Sequence, residues 1–318
     1  MASTSTTVQS LEDDFHQAAK DKNFAPLWTV LHKMVPPRPN PVAVPSIWRY
    51  DEMRPNLMTA GEIIDAEAAE RRVLMLINKS LEAPYTTDTI YAGLQLVLPG
   101  ETAPAHRHVA FALRFIIEGS QGFTAVQGQK IPMEAGDVIL TPSWCWHDHG
   151  NEGKDPMIWL DGLDLPLFRN VPVNFAENYT EQRYPSLPAP ESTLRFPWQD
   201  VQMALDHTNL PYAVHHYSRK GKAHLSDTIS IQAERVAAGY TTASLQETCS
   251  LIYHIKSGEG KSTVVTVDGK ATEIEWKDKD TFAVPAWSQI QHTCSSSGPA
   301  YLVAINDRPM LESLGLSR

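Results

Sequence analysis

The stretch EGSQGFTAVQGQKIPMEAGDVILTPSW, residues 118–144, returns in altered form as SGEGKSTVVTVDGKATEIEWKDKDTFAVPAW, residues 257–287. In both, a Gly-bounded hairpin with a Val-x-Gly tip leads to an acidic residue, an apolar strand and Pro-x-Trp. Self-similarity on this scale signals a repeated structural unit, here a duplicated β domain. Outward from the first copy, RRVLMLIN, IYAGLQLVL, HVAFALRFIIEG and PMIWLDGL are further short β-rich runs bounded by Gly, Pro and Asn. TISIQAERVAAG, SLIYHIKSGEG and AYLVAIND do the same around the second copy. Each half therefore reads as a sheet sandwich or small barrel, and the chain as mainly β.

The flanks read differently. A helix is expected to start at Ser10, and Phe15, Ala18, Ala19, Leu27, Trp28, Leu31 and Met34 continue its apolar stripe past a break near Pro26. VPPRPNPVAVP, residues 35–45, can only run extended, and a second helix is expected from Thr59 through Glu70. The resulting division is a helical arm and extended linker at 1–60, a first domain at 61–165, an irregular linker at 166–212 and a second domain at 213–318.

Composition narrows the function. The chain has 318 residues, 42 % of them hydrophobic and 20 % charged, with a formal net charge of −10. A chain this long buries a large core, and its acidic balance argues against nucleic-acid or anionic-membrane partners and for small ligands. Cys145, Cys249 and Cys294 are scattered and odd in number, which fits a reducing compartment better than a disulfide framework. The opening residues lack an apolar signal core, so a cytoplasmic location is expected.

His106 and His108 stand one residue apart in a strand-like run, so both imidazoles project from one face. One hairpin repeat later, GDVILTPSWCWHDHGN (136–151) sets His147 and His149 after a strand ending at Pro142. Antiparallel pairing can bring the two His pairs together.

These stretches resemble the cupin pattern. Five residues separate Gly100 from His106, and Gly136, Pro142, His147 and Asn151 fall at the second motif's spacings. Trp144 stands where that motif has its inner Gly, which suggests a differently shaped turn. The motif's glutamate ligand is replaced by Ala112 or Leu113, leaving His106, His108 and His147 as a ligand set without a carboxylate. Three neutral imidazoles suit Fe(II), Zn(II), Cu(II) or Ni(II) and leave the metal's charge for an anionic substrate to balance.

More narrowly, PGETAPAHRHVAFALRFIIEGSQGFTAVQGQKIPMEAGDVILTPSWCWHDHGNEG, supported by YAGLQLVLPGE and ERRVLML, is similar to the gentisate 1,2-dioxygenase group of bicupins, which includes salicylate and 1-hydroxy-2-naphthoate dioxygenases. The resemblance implies two cupin barrels and one Fe(II) per chain. It also implies O2-dependent cleavage of a hydroxylated aromatic acid between the carboxyl-bearing and adjacent hydroxylated carbons, gentisate giving maleylpyruvate, in a homo-oligomer, by family likeness a tetramer. Arg114 is read as a carboxylate clamp, against a structural alternative of pairing with Glu118 or Asp137. His149 is assigned to substrate or dioxygen chemistry, or else to supporting the ligands. Of Arg71 and Arg72, which resemble a family arginine that meets substrate, Arg72 is chosen. Tyr91, Gln95 and Asp161 complete the expected substrate contacts. The competing readings are a non-catalytic bicupin that binds an aromatic acid, and a three-His cupin of another reaction type, quercetinase-like or isomerase. In the second half, Leu245, Glu247, Ile290 and His292 align with His106, His108, His147 and His149, so that half is expected to hold no metal.

Overall fold

A computed structural model describes the backbone of residues 2–318 and the side chains of residues 11–318. The chain forms two compact units, one ending at Asn40 and one spanning Pro41–Arg318. In the first, a helix Ala2–Asp21 is followed by a 3-10 turn Leu27–Thr29 and a short helix Leu31–Met34. The helix begins eight positions before the expected Ser10, since residues 2–9 contain no Gly or Pro to stop it. Phe15 packs against Phe24 and stacks on Trp28, with ring centroids 5.9 and 6.1 Å apart.

In the second unit two barrels are built from four sheets. The first barrel's inner sheet runs Arg195–Phe196, Val138–Thr141, Ala112–Glu118, Met157–Leu163, Tyr91–Val97, Val73–Met75. Its other sheet runs Ala176–Asn178, Thr102–His108, His147–Asn151, Gly122–Val126, Gln129–Met133, Leu187–Pro188. The second barrel repeats this with Ser46–Trp48, Thr281–Val284, Leu251–Ser257, Ala300–Asn306, Ser230–Val236, Tyr212–His216, and with a four-stranded sheet Leu245–Gln246, Gln289–Cys294, Gly260–Val265, Ala271–Trp276. A bulge in the register recurs at the same place, between Ile158 and Trp159 and between Ile255 and Ser257. The two inner sheets share one core in which Leu113, Phe115 and Leu160 join Ile231, Ile252, Val303 and Ile305. The contact is close at Gly162, where a Cβ would stand 2.7 Å from Ile305 Cδ1.

The expected domain limits need correction. Residues 166–212 are not merely a linker: they supply three edge strands to the first barrel and a helix Trp198–His207. Likewise Ser46–Trp48, within the expected N-terminal arm, pairs with Thr281–Val284 of the second barrel. The exchange is reciprocal, because Arg195–Phe196, which leads into the second barrel, pairs with Val138–Thr141 of the first. Two- and three-residue strands carry no readable alternation, which is why sequence pattern missed them.

One aspartate fastens each exchanged segment. Asp280 accepts hydrogen bonds from Tyr50 N (2.9 Å) and Arg49 Nη1 (2.8 Å), and Asp137 accepts from Trp198 N (3.0 Å) and Arg195 Nε (2.6 Å). These bonds seat the first turns of two equivalent helices. The first, Tyr50–Ile63, starts and ends earlier than the expected 59–70. Asp280 holds its start, Pro55 is tolerated near it, and Asp65 turns the following DAEAAE segment by accepting from Ala68 N at 2.7 Å. A second symmetric pair joins the halves: Asp164 accepts from Phe111 N and Thr228 Oγ1, and Asp307 from Ser250 N and Thr89 Oγ1. Among the described residues no helix is long and apolar enough to cross a membrane, and all three cysteines are free.

Candidate metal centre and active site

The strand Thr102–His108 runs antiparallel to His147–Asn151, and a bulge after Ala103 sets His106 opposite His147. Strand alternation brings His108 to the same face as His106 and sends Asp148 outward, where its Oδ1 lies 3.4 Å from Arg183 Nε. The ring centroids of His106, His108 and His147 are 4.2 to 5.2 Å apart, and one nitrogen of each lies within 4.8 Å of the others. His108 Nδ1 donates to the Ala110 carbonyl at 2.7 Å and His147 Nδ1 to the Cys145 carbonyl at 2.9 Å. Such bonds fix the tautomer that leaves Nε2 unprotonated, as a metal ligand requires. His147 Nε2 is buried and has no hydrogen-bond partner, an orphan that a metal would satisfy. Burial foremost, with Arg114 nearby, lowers His147 well below the ordinary imidazole range and His108 to about 4, so both are neutral donors. Ala112 and Leu113, at the missing glutamate position, are buried apolar residues, and among the described residues no carboxylate joins the set. The donors fit a divalent first-row metal held by three imidazoles.

The turn that delivers His147 places a side chain in a strained conformation. Trp144, at φ 61°, adopts the left-handed backbone that glycine takes without strain. Trp287 does the same in the second barrel at φ 60°. Trp144 N donates to the His108 carbonyl and Trp287 N to the Glu247 carbonyl, at 2.8 and 2.9 Å. The first turn is further held by Phe175, packed on the Trp144 ring, and by Arg107, which lies 4.4 Å from both the Trp144 and Trp146 rings.

The inner sheet faces the histidines with polar groups rarely found in a barrel core. Arg114 and Asp161 lie side by side in the ladder, their Nε and Oδ1 3.2 Å apart, and Arg114 Nη1 donates to Thr141 Oγ1 at 2.5 Å. Arg114 thus pairs with neither Glu118 nor Asp137, its expected structural alternatives; Glu118 meets Arg54 and Lys279, and Asp137 meets Arg195. Its charge helps depress His108, His147 and His149. Burial raises the Asp161 carboxyl to about 6 against the pull of Arg114. His149 Nδ1 shares a hydrogen bond with Thr124 Oγ1 at 3.0 Å, and its ring lies 5.6 Å from His147 and 5.3 Å from Trp159. His149 Nε2, Gln95 Nε2 and Trp159 Nε1 are all buried without partners. Gln95 and Trp159 pair directly across the sheet, and Asp161 pairs with Gly93. The Tyr91 hydroxyl passes over Gly93, 2.7 Å from where a Cβ would be, so a larger residue there would displace it.

Arg72 is not where the sequence reading put it. Its guanidinium is buried against the Glu101 carboxylate and donates to the Ile64 carbonyl at 2.8 Å. The guanidinium that reaches the histidines is that of Arg71: Nη2 contacts His106 Nδ1 and lies 3.0 Å from Nε2. The two residues fill successive positions just before a short strand, so the phase that decides which turns inward was not fixed by periodicity. Arg71 and His106 also line a cavity of about 300 Å³ whose other walls include Glu70, Pro104, Tyr179 and Gln182. Trp159, Thr141 and Thr124 were missed because Trp and Thr in apolar strands read as core; the period of two linking Trp159 to Asp161 was the available signal.

The second barrel has lost this chemistry position by position. Leu245 pairs with Ile290 as His106 pairs with His147. Glu247 is bound to Arg308 at 2.6 Å, and His292 shares a hydrogen bond with Ser262 at 2.7 Å as His149 does with Thr124. The described residues hold no second cluster of metal-ligating side chains.

Comparison with known proteins agrees with this geometry. Residues 93–163 match the Cupin domain family. The chain is 34 % identical to gentisate 1,2 dioxygenase 1 of Aquipseudomonas alcaligenes, across 96 % of the chain and 95 % of that protein. It is 32 % identical to 5-aminosalicylate 1,2-dioxygenase of Comamonas sp, across 98 % and 90 %. It superposes on salicylate 1,2-dioxygenase of Pseudoaminobacter salicylatoxidans, solved as adducts with gentisate, with a TM-score of 0.86 and 27 % identity over 96 % of this chain and 92 % of that one. The chain belongs to the gentisate 1,2-dioxygenase family of bicupins, ring-cleaving 1,2-dioxygenases of hydroxylated aromatic acids.

Proposed function

We propose that this protein opens gentisate between C1 and C2 with dioxygen, giving maleylpyruvate, and that His106, His108 and His147 hold one Fe(II) per chain. The observation that carries the reading is charge: three imidazoles, His108 and His147 among them kept neutral by burial, face two arginines, with Asp161 as the buried carboxylate beside them. A divalent cation there calls for an anionic ligand, and an ortho-hydroxy acid supplies one that can chelate. Bound iron would supply the redox link between the chelated ring and dioxygen, which ground-state organic acids lack. Arg114 holds the substrate carboxylate, its planar fork suiting a bidentate partner. Arg71 adds a second positive charge at the His106 side. Gln95 Nε2 and Trp159 Nε1 offer unpaired donors, and Tyr91 walls the ring. His149, neutral and unpaired at Nε2, is placed to exchange a proton with the bound acid or its ring hydroxyl. Arginine in the site favours an acid over a neutral flavonol, and a homo-oligomer, a tetramer by family likeness, is the expected assembly.

The test is oxygen uptake by iron-loaded protein with gentisate, salicylate, 5-aminosalicylate, 1-hydroxy-2-naphthoate and gentisate methyl ester. One O2 consumed per gentisate, with maleylpyruvate as product and no reaction of the ester, is expected. Turnover of the ester at the rate of the acid would defeat the carboxylate-binding mode; inactivity toward gentisate with turnover of another acid would reassign the substrate.

A further inference from the structure

The two barrels provide an internal control for the residues around Arg114. The shared ladder makes Arg114 the counterpart of Tyr253, Asp161 of Ala304 and Thr141 of Val284: Arg114 pairs with Asp161 as Tyr253 pairs with Ala304, and Ala112 with Thr141 as Leu251 with Val284. All three members of the polar trio are therefore replaced together in the barrel that lacks the metal ligands. Thr141 and Val284 are equally buried, each 1 % exposed, and each precedes the same Pro-x-Trp turn. Valine differs from threonine by a methyl in place of the hydroxyl, so the fold itself accepts Val at this position and the hydroxyl serves something other than packing.

What it serves is visible in the first barrel. Thr141 Oγ1 accepts from Arg114 Nη1 at 2.5 Å, while Asp161 Oδ1 sits 3.2 Å from Nε at the other end of the guanidinium. The Asp161 contact is an ion pair too skewed to count as a hydrogen bond, since Arg114 Nε and Asp161 Oδ1 both lack hydrogen-bond partners. An arginine held by one skewed carboxylate can swing about its terminal bonds; a second anchor on a different nitrogen stops that. We propose that Thr141 is a positioning residue that sets the orientation of Arg114 toward the substrate carboxylate, and so tunes affinity for acids without touching the substrate. The proposal rests on the reading of Arg114 as the carboxylate partner.

Thr141→Val, Thr141→Ser, Arg114→Leu and the double variant Thr141→Val/Arg114→Leu are compared, each iron-loaded. Gentisate binding is measured anaerobically by intrinsic tryptophan fluorescence, alongside KM, kcat, iron content and thermal midpoint. Losing a hydrogen bond to a charged group is expected to raise Kd and KM for gentisate about tenfold or more in Thr141→Val, with iron content retained. Thr141→Ser, which keeps the hydroxyl, stays within about threefold of wild type, and the double variant is no weaker than Arg114→Leu alone. Should Thr141→Val lower the thermal midpoint, Thr141→Ala and the Ser variant carry the same comparison. Wild-type affinity in the Val variant, a Ser variant as impaired as Val, or additive losses in the double variant would overturn the proposal. Failure of the wild type to bind any carboxylic acid would instead overturn the substrate assignment.

Discussion

Replacing Asp280 with Ala should loosen the whole chain from a point far from the metal centre. Its side chain is fully buried and accepts from Tyr50 N at 2.9 Å, Arg49 Nη1 at 2.8 Å and Lys277 N at 3.2 Å. Stripping the buried Tyr50 N–H of its acceptor costs about 1–2 kcal/mol, and the partly buried Lys277 N–H about another 1. The ion pair contributes about 0.5 kcal/mol, since Arg49 is a third exposed and water screens it. The sum is about 3 kcal/mol, which for a chain of this size lowers the thermal midpoint by about 4–5 °C. Asp280→Asn, whose amide oxygen still accepts from Tyr50, should recover about half. Urea titration followed by circular dichroism measures the loss, and iron content and kcat should remain as in wild type. Asp137→Ala should cost a similar amount, because Asp137 holds Trp198 N and Arg195 in the same way. A loss below about 1 kcal/mol for both variants would refute the view that these two carboxylates fasten the exchanged segments.

Iron analysis of purified protein should give one equivalent per chain, lost in His147→Ala and kept in His292→Ala; two equivalents in wild type would refute a metal-free second barrel. Arg71→Leu should raise KM for the acid about tenfold with the fold intact, whereas Arg72→Leu should act on stability, by about 2 kcal/mol, because Glu101 loses its guanidinium partner and keeps only the Leu98 and Ala66 N–H groups; chemical denaturation and steady-state kinetics separate the two. Burial raises the Asp307 carboxyl from 3.8 to about 6. A folded-state pKa above the unfolded one means that stability is greatest with the acid protonated and falls as pH rises from about 4 to about 6, by up to about 3 kcal/mol. Asp307→Asn should flatten that part of the stability profile, and a variant profile parallel to wild type would remove Asp307 from the account.

The parts of this molecule that were legible in the sequence were those with a fixed spacing. His106 and His108 share a face because strands alternate, and His147 follows Gly136 and Pro142 and precedes Asn151 at fixed spacings. The repeat of residues 118–144 in 257–287 carried the two-barrel architecture. Where no periodicity operated, reading failed: Arg71 and Arg72 differ only in which way an isolated residue turns before a short strand. The conformation of Trp144 was illegible for a different reason. Left-handed backbone is normally granted to Gly, and a Trp held there by Phe175 and Arg107 has no signature in the local sequence.

The crossed pairing of Ser46–Trp48 and Arg195–Phe196 explains why a barrel without metal ligands is retained at all. Both barrels present the same receiving edge and the same kind of leading strand, so two single barrels of this design could complete each other's sheets by trading that strand. Fusing two such twins end to end would make the trade internal and free one of them to lose its ligands. It would not free that half to disappear. Discarding it would unseat the helix and strand that precede the catalytic barrel, and would strip away the segment that completes the catalytic barrel's sheet. The inert half is thus the other side of a joint, and erosion of its chemistry can proceed only as far as the joint permits.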